Sequence, residues 1–66
     1  MAIAIAYLRS GNVEVRRTNE TTFTIFLSSN QRLHSYNPDR VYIITDGSHI
    51  TEYDETCTVR SSYFLQ

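Results

Sequence analysis

The sequence predicts a mainly β fold, a small antiparallel barrel or curled sheet of five to six strands, with room for one short helix near residues 29–36. Three observations point there. β-Branched and aromatic residues come in short runs, turn-forming residues separate the runs, and no stretch keeps apolar residues at helical spacing for long. Residues 1–66 read as one small domain, without linker, repeat or low-complexity tract.

The first run, residues 2–9, reads AIAIAYLR. In a strand, Ile3, Ile5 and Tyr7 would share one face and Ala2, Ala4, Ala6 and Leu8 the other, so both faces are apolar. Ser10-Gly11-Asn12 follows as a turn, in which Gly11 or Asn12 can take the positive φ a hairpin needs. Residues 13–18 alternate, with Val13, Val15 and Arg17 on one face and Glu14 and Arg16 on the other. After a turn at Asn19-Glu20, residues 21–28 give the clearest strand: Phe23, Ile25 and Leu27 inward, Thr22, Thr24 and Phe26 outward. The Ile3–Ile5–Tyr7 face is expected to pack on Val13, Val15, Phe23, Ile25 and Leu27.

Residues 28–38 support two readings. Ser28 and Gln31 have the spacing of a capping box and Asn37-Pro38 suits a helix stop, which favours a turn of helix or an irregular loop. The other reading is a hairpin turning at Ser29-Asn30. Asp46-Gly47 between two β-rich runs then predicts a two-residue type I′ hairpin, pairing Thr45 with Ser48, Ile44 with His49 and Ile43 with Ile50. Residues 56–65 read as the last strand, with Cys57, Val59, Tyr63 and Leu65 on one face.

A chain of 66 residues hides only about 60% of the surface its unfolded form exposes. Small folds compensate with disulfides, a metal or a partner subunit. Cys57 is the single cysteine, so no internal disulfide can form, and His34, His49 and Cys57 show none of the close pairings of a zinc site. No metal and no cofactor is expected, and association with another chain is. The lone cysteine fits a reducing compartment. No apolar segment reaches the length of a membrane span, and with no basic residues before the apolar run and no small-residue cleavage pattern near residues 9–12, a signal peptide is not expected. A cytoplasmic protein is expected, and the sequon-like Asn19-Glu20-Thr21 is read as chance.

Six cations balance seven anions, and all six are Arg. That balance counts against a dedicated nucleic-acid binder, although Tyr7, Phe26, Tyr36, Tyr42, Tyr53, Tyr63 and Phe64 with the six arginines supply the materials of an aromatic platform for single strands. Cys57, His34, His49 and Asp46 supply the residue types of a nucleophilic site, but no signature frames them, and Cys57 reads as a buried, inert thiol on a strand. Glu52, Asp54 and Glu55 read as a solvated turn rather than a calcium loop. Gly11 and Gly47 are the only glycines, too few for a phosphate loop. No enzyme and no small-molecule substrate is expected.

What covers the alanine face has three answers: the chain's own later strands, a second copy, or another protein. Tyr and Arg, prominent here, dominate interface hot spots. The expectation is a non-catalytic, protein-binding accessory or inhibitory module, such as a phage-encoded chain that blocks a host factor. It would dimerise through an edge strand or the alanine face; the alternative is a β-barrel for single-stranded nucleic acid. The expected partner-binding residues are Tyr36, Arg32 and Arg40, flanking the least regular segment.

Overall fold

The computed structural model describes residues 2–65. It holds seven strands and no helix: β1 (Ile3–Arg9), β2 (Asn12–Arg17), β3 (Thr22–Ile25), β4 (Gln31–Tyr36), β5 (Arg40–Thr45), β6 (His49–Asp54) and β7 (Val59–Phe64). They form two antiparallel sheets, a three-stranded one in the order β1-β2-β3 and a four-stranded one in the order β4-β5-β6-β7. The mainly β reading stands, while the expected barrel does not close.

Within each sheet every consecutive pair of strands is antiparallel, and the chain crosses between the sheets from β3 to β4. In the first pair, Ser10 (φ 52°) and Gly11 (φ 81°) both take positive φ between the paired residues Arg9 and Asn12, the geometry of a type I′ turn. Asn12 already belongs to β2, where its Oδ1 accepts the Leu27 N–H at 3.1 Å and ties down the chain leaving β3.

A β-bulge at Ala4 changes the first strand. Ile3 pairs with Arg17 but Ile5 pairs with Arg16, so one extra residue is accommodated and the two faces exchange. Ile3 and Ala6 are therefore buried, while Ile5 and Ala4 are exposed and Tyr7 lies half-buried on the outer face. The expected Ile3–Ile5–Tyr7 core face does not exist, and the alanines share no face either. Ala6 is covered from within the chain.

The shared core is Ile3, Ala6, Val13, Val15 and Ile25 from one sheet with Val41 and Ile43 from the other, and Phe23, Leu27, Leu33 and Tyr53 pack against it. The sheets meet along β1 and β4, where the Ile3 N–H donates to the Pro38 carbonyl at 2.8 Å. At the same end, Arg17, the pairing partner of Ile3, donates from Nη1 to the Glu55 carbonyl at 2.8 Å and stacks its guanidinium 5.0 Å from the Phe23 ring centre.

Residues 31–36 form a strand, not a helix or loop. The side-chain contact of a capping box does form, with the Ser28 N–H donating to Gln31 Oε1 at 2.9 Å. It braces a β-turn, however, closed by the Gln31 N–H on the Ser28 carbonyl at 3.0 Å. Pairing with β5 then supplies the backbone partners that a single helical turn could not.

The Asp46-Gly47 hairpin forms with a register one residue away from the expected one. Asp46 (φ 53°) and Gly47 (φ 74°) make the turn, and the Ser48 N–H reaches the Thr45 carbonyl at 3.1 Å. The ladder nevertheless resumes at His49, pairing Thr45 with His49, Ile44 with Ile50 and Ile43 with Thr51. Neighbouring bonds accompany the slip: the Asp46 N–H donates to the Asn30 carbonyl at 2.9 Å, and the Ser48 carbonyl accepts the Leu65 N–H at 2.6 Å. A one-residue slip sends every side chain of the partner strand to the other face. Ile50 consequently leaves the core that Ile43 occupies.

Candidate functional site

That slip builds the most distinctive surface of the molecule. Following the register across the four-stranded sheet, Arg32, Ile44, Ile50 and Tyr63 form one row, and Ser35, Tyr42, Glu52 and Ser61 the next, all on the face turned away from the three-stranded sheet. Bulges at His34 in β4 and Arg60 in β7 bend the two outer strands. The result is an open trough of about 270 Å³, lined from β4 through β7 by His34, Ser35, Tyr42, Ile50, Glu52, Tyr63 and Leu65.

Ile50 is the floor, only 1% exposed although it lies outside the shared core. Tyr63 (42% exposed) and Leu65 (44%) stand on one side. Partial burial raises the Tyr63 phenol above its ordinary value, and the nearby Glu52 carboxylate raises it further. At the rim, Arg40 Nε approaches Glu52 Oε1 at 3.8 Å, and Asn37 Nδ2 donates to the Tyr42 hydroxyl at 3.2 Å. His34 Nδ1 lies 3.2 Å from Ser35 Oγ. A second hollow, about 370 Å³ and more polar, opens beside it between the turns, lined by Ser29, Asn30, Arg32, Ile44, Asp46 and Gly47.

Of the residues expected to bind a partner, Arg32 and Arg40 lie on this face, one beside each end of the trough. Tyr36 sits in register with Val41, on the opposite face, and is 42% exposed. The sequence does not group Tyr42, Ile50, Glu52, Tyr63 and Leu65 as one site: Tyr42 and Tyr63 stand there among the chain's aromatics, and Glu52 in an acidic turn. Their convergence depends on the hairpin slip and the two bulges, which no motif marks.

The residue types of a nucleophilic site are not brought together. Cys57 lies at the Asp54 end of β6, with its N–H on the Asp54 carbonyl at 3.1 Å, whereas His49 begins that strand beside Asp46. Cys57 is exposed in a turn at φ 65°, not buried on a strand as expected. Partial burial of its sulfur pushes the thiol pKa up and nearby Asp54 adds to this, against the opposing pull of Arg17. A thiol so placed is a poor nucleophile.

The Asp54 carboxylate is committed to its own turn. Its Oδ1 accepts the Thr56 hydroxyl at 2.7 Å, the Thr56 N–H at 2.9 Å and the Thr58 N–H at 3.0 Å. The Thr56 hydroxyl and then the Thr58 amide hold its pKa down to about 2. Among the described residues, no three His, Cys, Asp or Glu side chains gather to hold a metal ion.

The arginines are dispersed. Arg9 pairs with Glu14 at 3.3 Å, Arg40 with Glu52 and Arg60 with Asp54 at 3.8 Å, and Arg17 is engaged by Thr21, Glu55 and Phe23. Arg16 and Arg32, which form no ion pair among the described residues, lie on the outer faces of different sheets. No family model, no curated protein and no solved structure matches the chain. No helix among the described residues is long and apolar enough to cross a membrane.

Proposed function

We propose that the chain is a non-catalytic module that binds another protein through the trough of the four-stranded sheet. One observation carries this reading: a buried isoleucine floor walled by Tyr42, Tyr63 and Leu65 and rimmed by the Arg40–Glu52 pair and Arg32. Aromatic residues and Arg around an apolar centre are the composition that interface cores favour. At about 270 Å³ the trough lies just under the range of small-molecule pockets and is open, so it suits a few projecting side chains of a partner. Arg32 and Arg40 are the proposed rim contacts, and Tyr36 would make a separate contact on the other face. An accessory or inhibitory role in the cytoplasm, as of a phage-encoded chain that blocks a host factor, belongs to the same proposal.

The competing reading is a platform for single-stranded nucleic acid. A groove tracking phosphates needs clustered cations, whereas here the trough contains Glu52 and one of its two arginines is already paired with it. A direct test pans a displayed random-peptide library on the chain. Enriched peptides should lose at least about tenfold in affinity on Tyr42→Ala or Arg32→Ala. Peptides that map elsewhere would sink the trough reading. Binding of labelled random DNA or RNA that is tight at ~50 mM salt and collapses by ~200 mM would replace it with the nucleic-acid one.

A further inference from the structure

The strand β7 ends the four-stranded sheet, and no strand among the described residues pairs with its outer edge. All six of its residues are exposed. Native edges are usually blunted by Lys, Pro, shortness or a covering segment. The chain has no Lys, its single Pro is elsewhere, and residues 61–65 carry no charge. Along that stretch Tyr63, Phe64 (71% exposed) and Leu65 present apolar surface. Of the other edges, β1 and β4 lie against each other where the sheets meet, and β3 is four residues long, with Phe23 and Ile25 already packed in the core.

The direction of the unpaired groups follows from one bond. The Leu65 N–H donates inward, to the Ser48 carbonyl, and antiparallel ladders alternate inward and outward residues. Ser61 and Tyr63 therefore face β6, and the N–H and C=O groups of Ser62 and Phe64 point out of the sheet. We infer that a second copy of the chain pairs antiparallel along this edge, with a two-fold axis through Tyr63. Ser62 of one copy then exchanges both backbone bonds with Phe64 of the other, and the symmetric pair repeats this, giving four hydrogen bonds that use every outward group from Ser62 to Phe64.

The side chains agree with that register. Opposite residues share a face, so Tyr63 meets its own copy and Leu65 lies opposite Ser61 on the trough side, while Phe64 lies opposite Ser62 on the inner side. No like charges oppose, because Arg60, the only charge on β7, falls outside the paired stretch at the bulge. The two troughs join into one surface across the axis. A two-fold pairing uses one patch twice, which is why a self-complementary edge favours a second copy over a foreign strand.

Sedimentation velocity over ~1 µM to ~1 mM should show the mass rising from one chain toward two, the range expected of a small edge interface. Phe64→Lys, which leaves the trough lining intact, should raise the midpoint concentration at least about tenfold. A synthetic chain N-methylated at Ser62 keeps every side chain and should do the same. Tyr63→Cys in a Cys57→Ser background should cross-link two copies on mild oxidation, since directly opposed residues in a non-hydrogen-bonded pair lie within disulfide reach. A monomer throughout, or a dimer indifferent to both edge changes, overturns the pairing. Cross-linking by Ser62→Cys but not Tyr63→Cys overturns the register. None of these readouts uses a trough ligand, so a failure of trough binding would leave them unaffected.

Discussion

In the three-stranded sheet Val13, Val15 and Ile25 disappear into the core, while Glu14, Arg16, Thr22 and Thr24 face outward. In the four-stranded sheet apolar residues occupy both faces: Val41 and Ile43 inward, Ile44, Ile50, Tyr63 and Leu65 outward. The first arrangement is what a sheet half-covered by a core requires. Its outer face also carries Ile5, 41% exposed opposite Arg16, but is otherwise polar, with the Tyr7 hydroxyl donating to Glu14 Oε1 at 2.8 Å beside Arg9. The second spends scarce apolar residues away from the shared core in a chain that has few to spare. One sheet serves the fold, and the other serves the fold on one face and offers a surface on the second.

The largest test of this division compares Ile43→Ala with Phe64→Ala. Ile43 is 1% exposed within the core shared by both sheets, and its truncation should cost about 2–5 kcal/mol, a large share of a small domain's stability. Phe64 is 71% exposed, and its loss should stay within about 0.5 kcal/mol when measured at a concentration below association. Urea titrations of both variants decide it. Comparable losses would mean that the overhanging strand is part of the core.

Ile50→Ala sharpens the same line. Ile50 is as buried as Ile43 but lies beneath the trough. Its neighbours Tyr42 and Tyr63 are not locked in a two-sided core and can close into the space, so the loss should be smaller, about 1–3 kcal/mol. A cost equal to that of Ile43→Ala would make the trough a second core instead of a surface.

Smaller still, and equal in the two sheets, should be Gly11→Ala and Gly47→Ala. Each glycine turns a hairpin at positive φ, +81° and +74°, and an added Cβ would meet no atom within 4 Å. The cost is then backbone strain alone, about 1–2 kcal/mol each, and Asn at either site should recover part of it. Thermal melts that separate the two by more than this would show that one hairpin is held by contacts beyond its own turn.

Much of this architecture was legible in the sequence. The turns at Gly11, Asn19-Glu20 and Asp46-Gly47 and the inward set Val13, Val15, Phe23 and Ile25 follow from turn chemistry and alternation. What escaped were single extra residues. Ala4, His34 and Arg60 are each a bulge, and Ser48 delays the pairing after its turn by one. Alternation carries no mark of an inserted residue, yet each insertion exchanges the faces beyond it. Hence plain alternation points Ile5 and Tyr7 inward and groups Val59 with Tyr63 across the Arg60 bulge. For the same reason, it pairs Ile50 with Ile43, whereas Ile50 lies opposite Ile44 as the trough floor. The strand at residues 31–36 was hidden differently, because its partner is β5 and a capping-box contact braces its leading turn.

The smallest expected effect is in acid, and it too separates the sheets. Asp54, at the end of β6, has its carboxyl held down to about 2 from an ordinary 3.8 by the Thr56 hydroxyl and the Thr58 amide. Glu14, on the outer face of the three-stranded sheet, is lowered first by the Tyr7 hydroxyl and then by Arg9. Both are depressed in the folded chain, so each contributes stability that is fully present above its unfolded pKa and is lost as pH falls through the folded one. For Asp54 that window runs from 3.8 down to about 2. Melting temperature followed against pH should fall through this window, and Asp54→Asn should flatten the lower part of the fall, while Glu14→Gln flattens the upper part. A carboxyl ¹³C titration placing Asp54 at its ordinary value would show that the β6–β7 turn, and with it the start of the open edge, is not held as described.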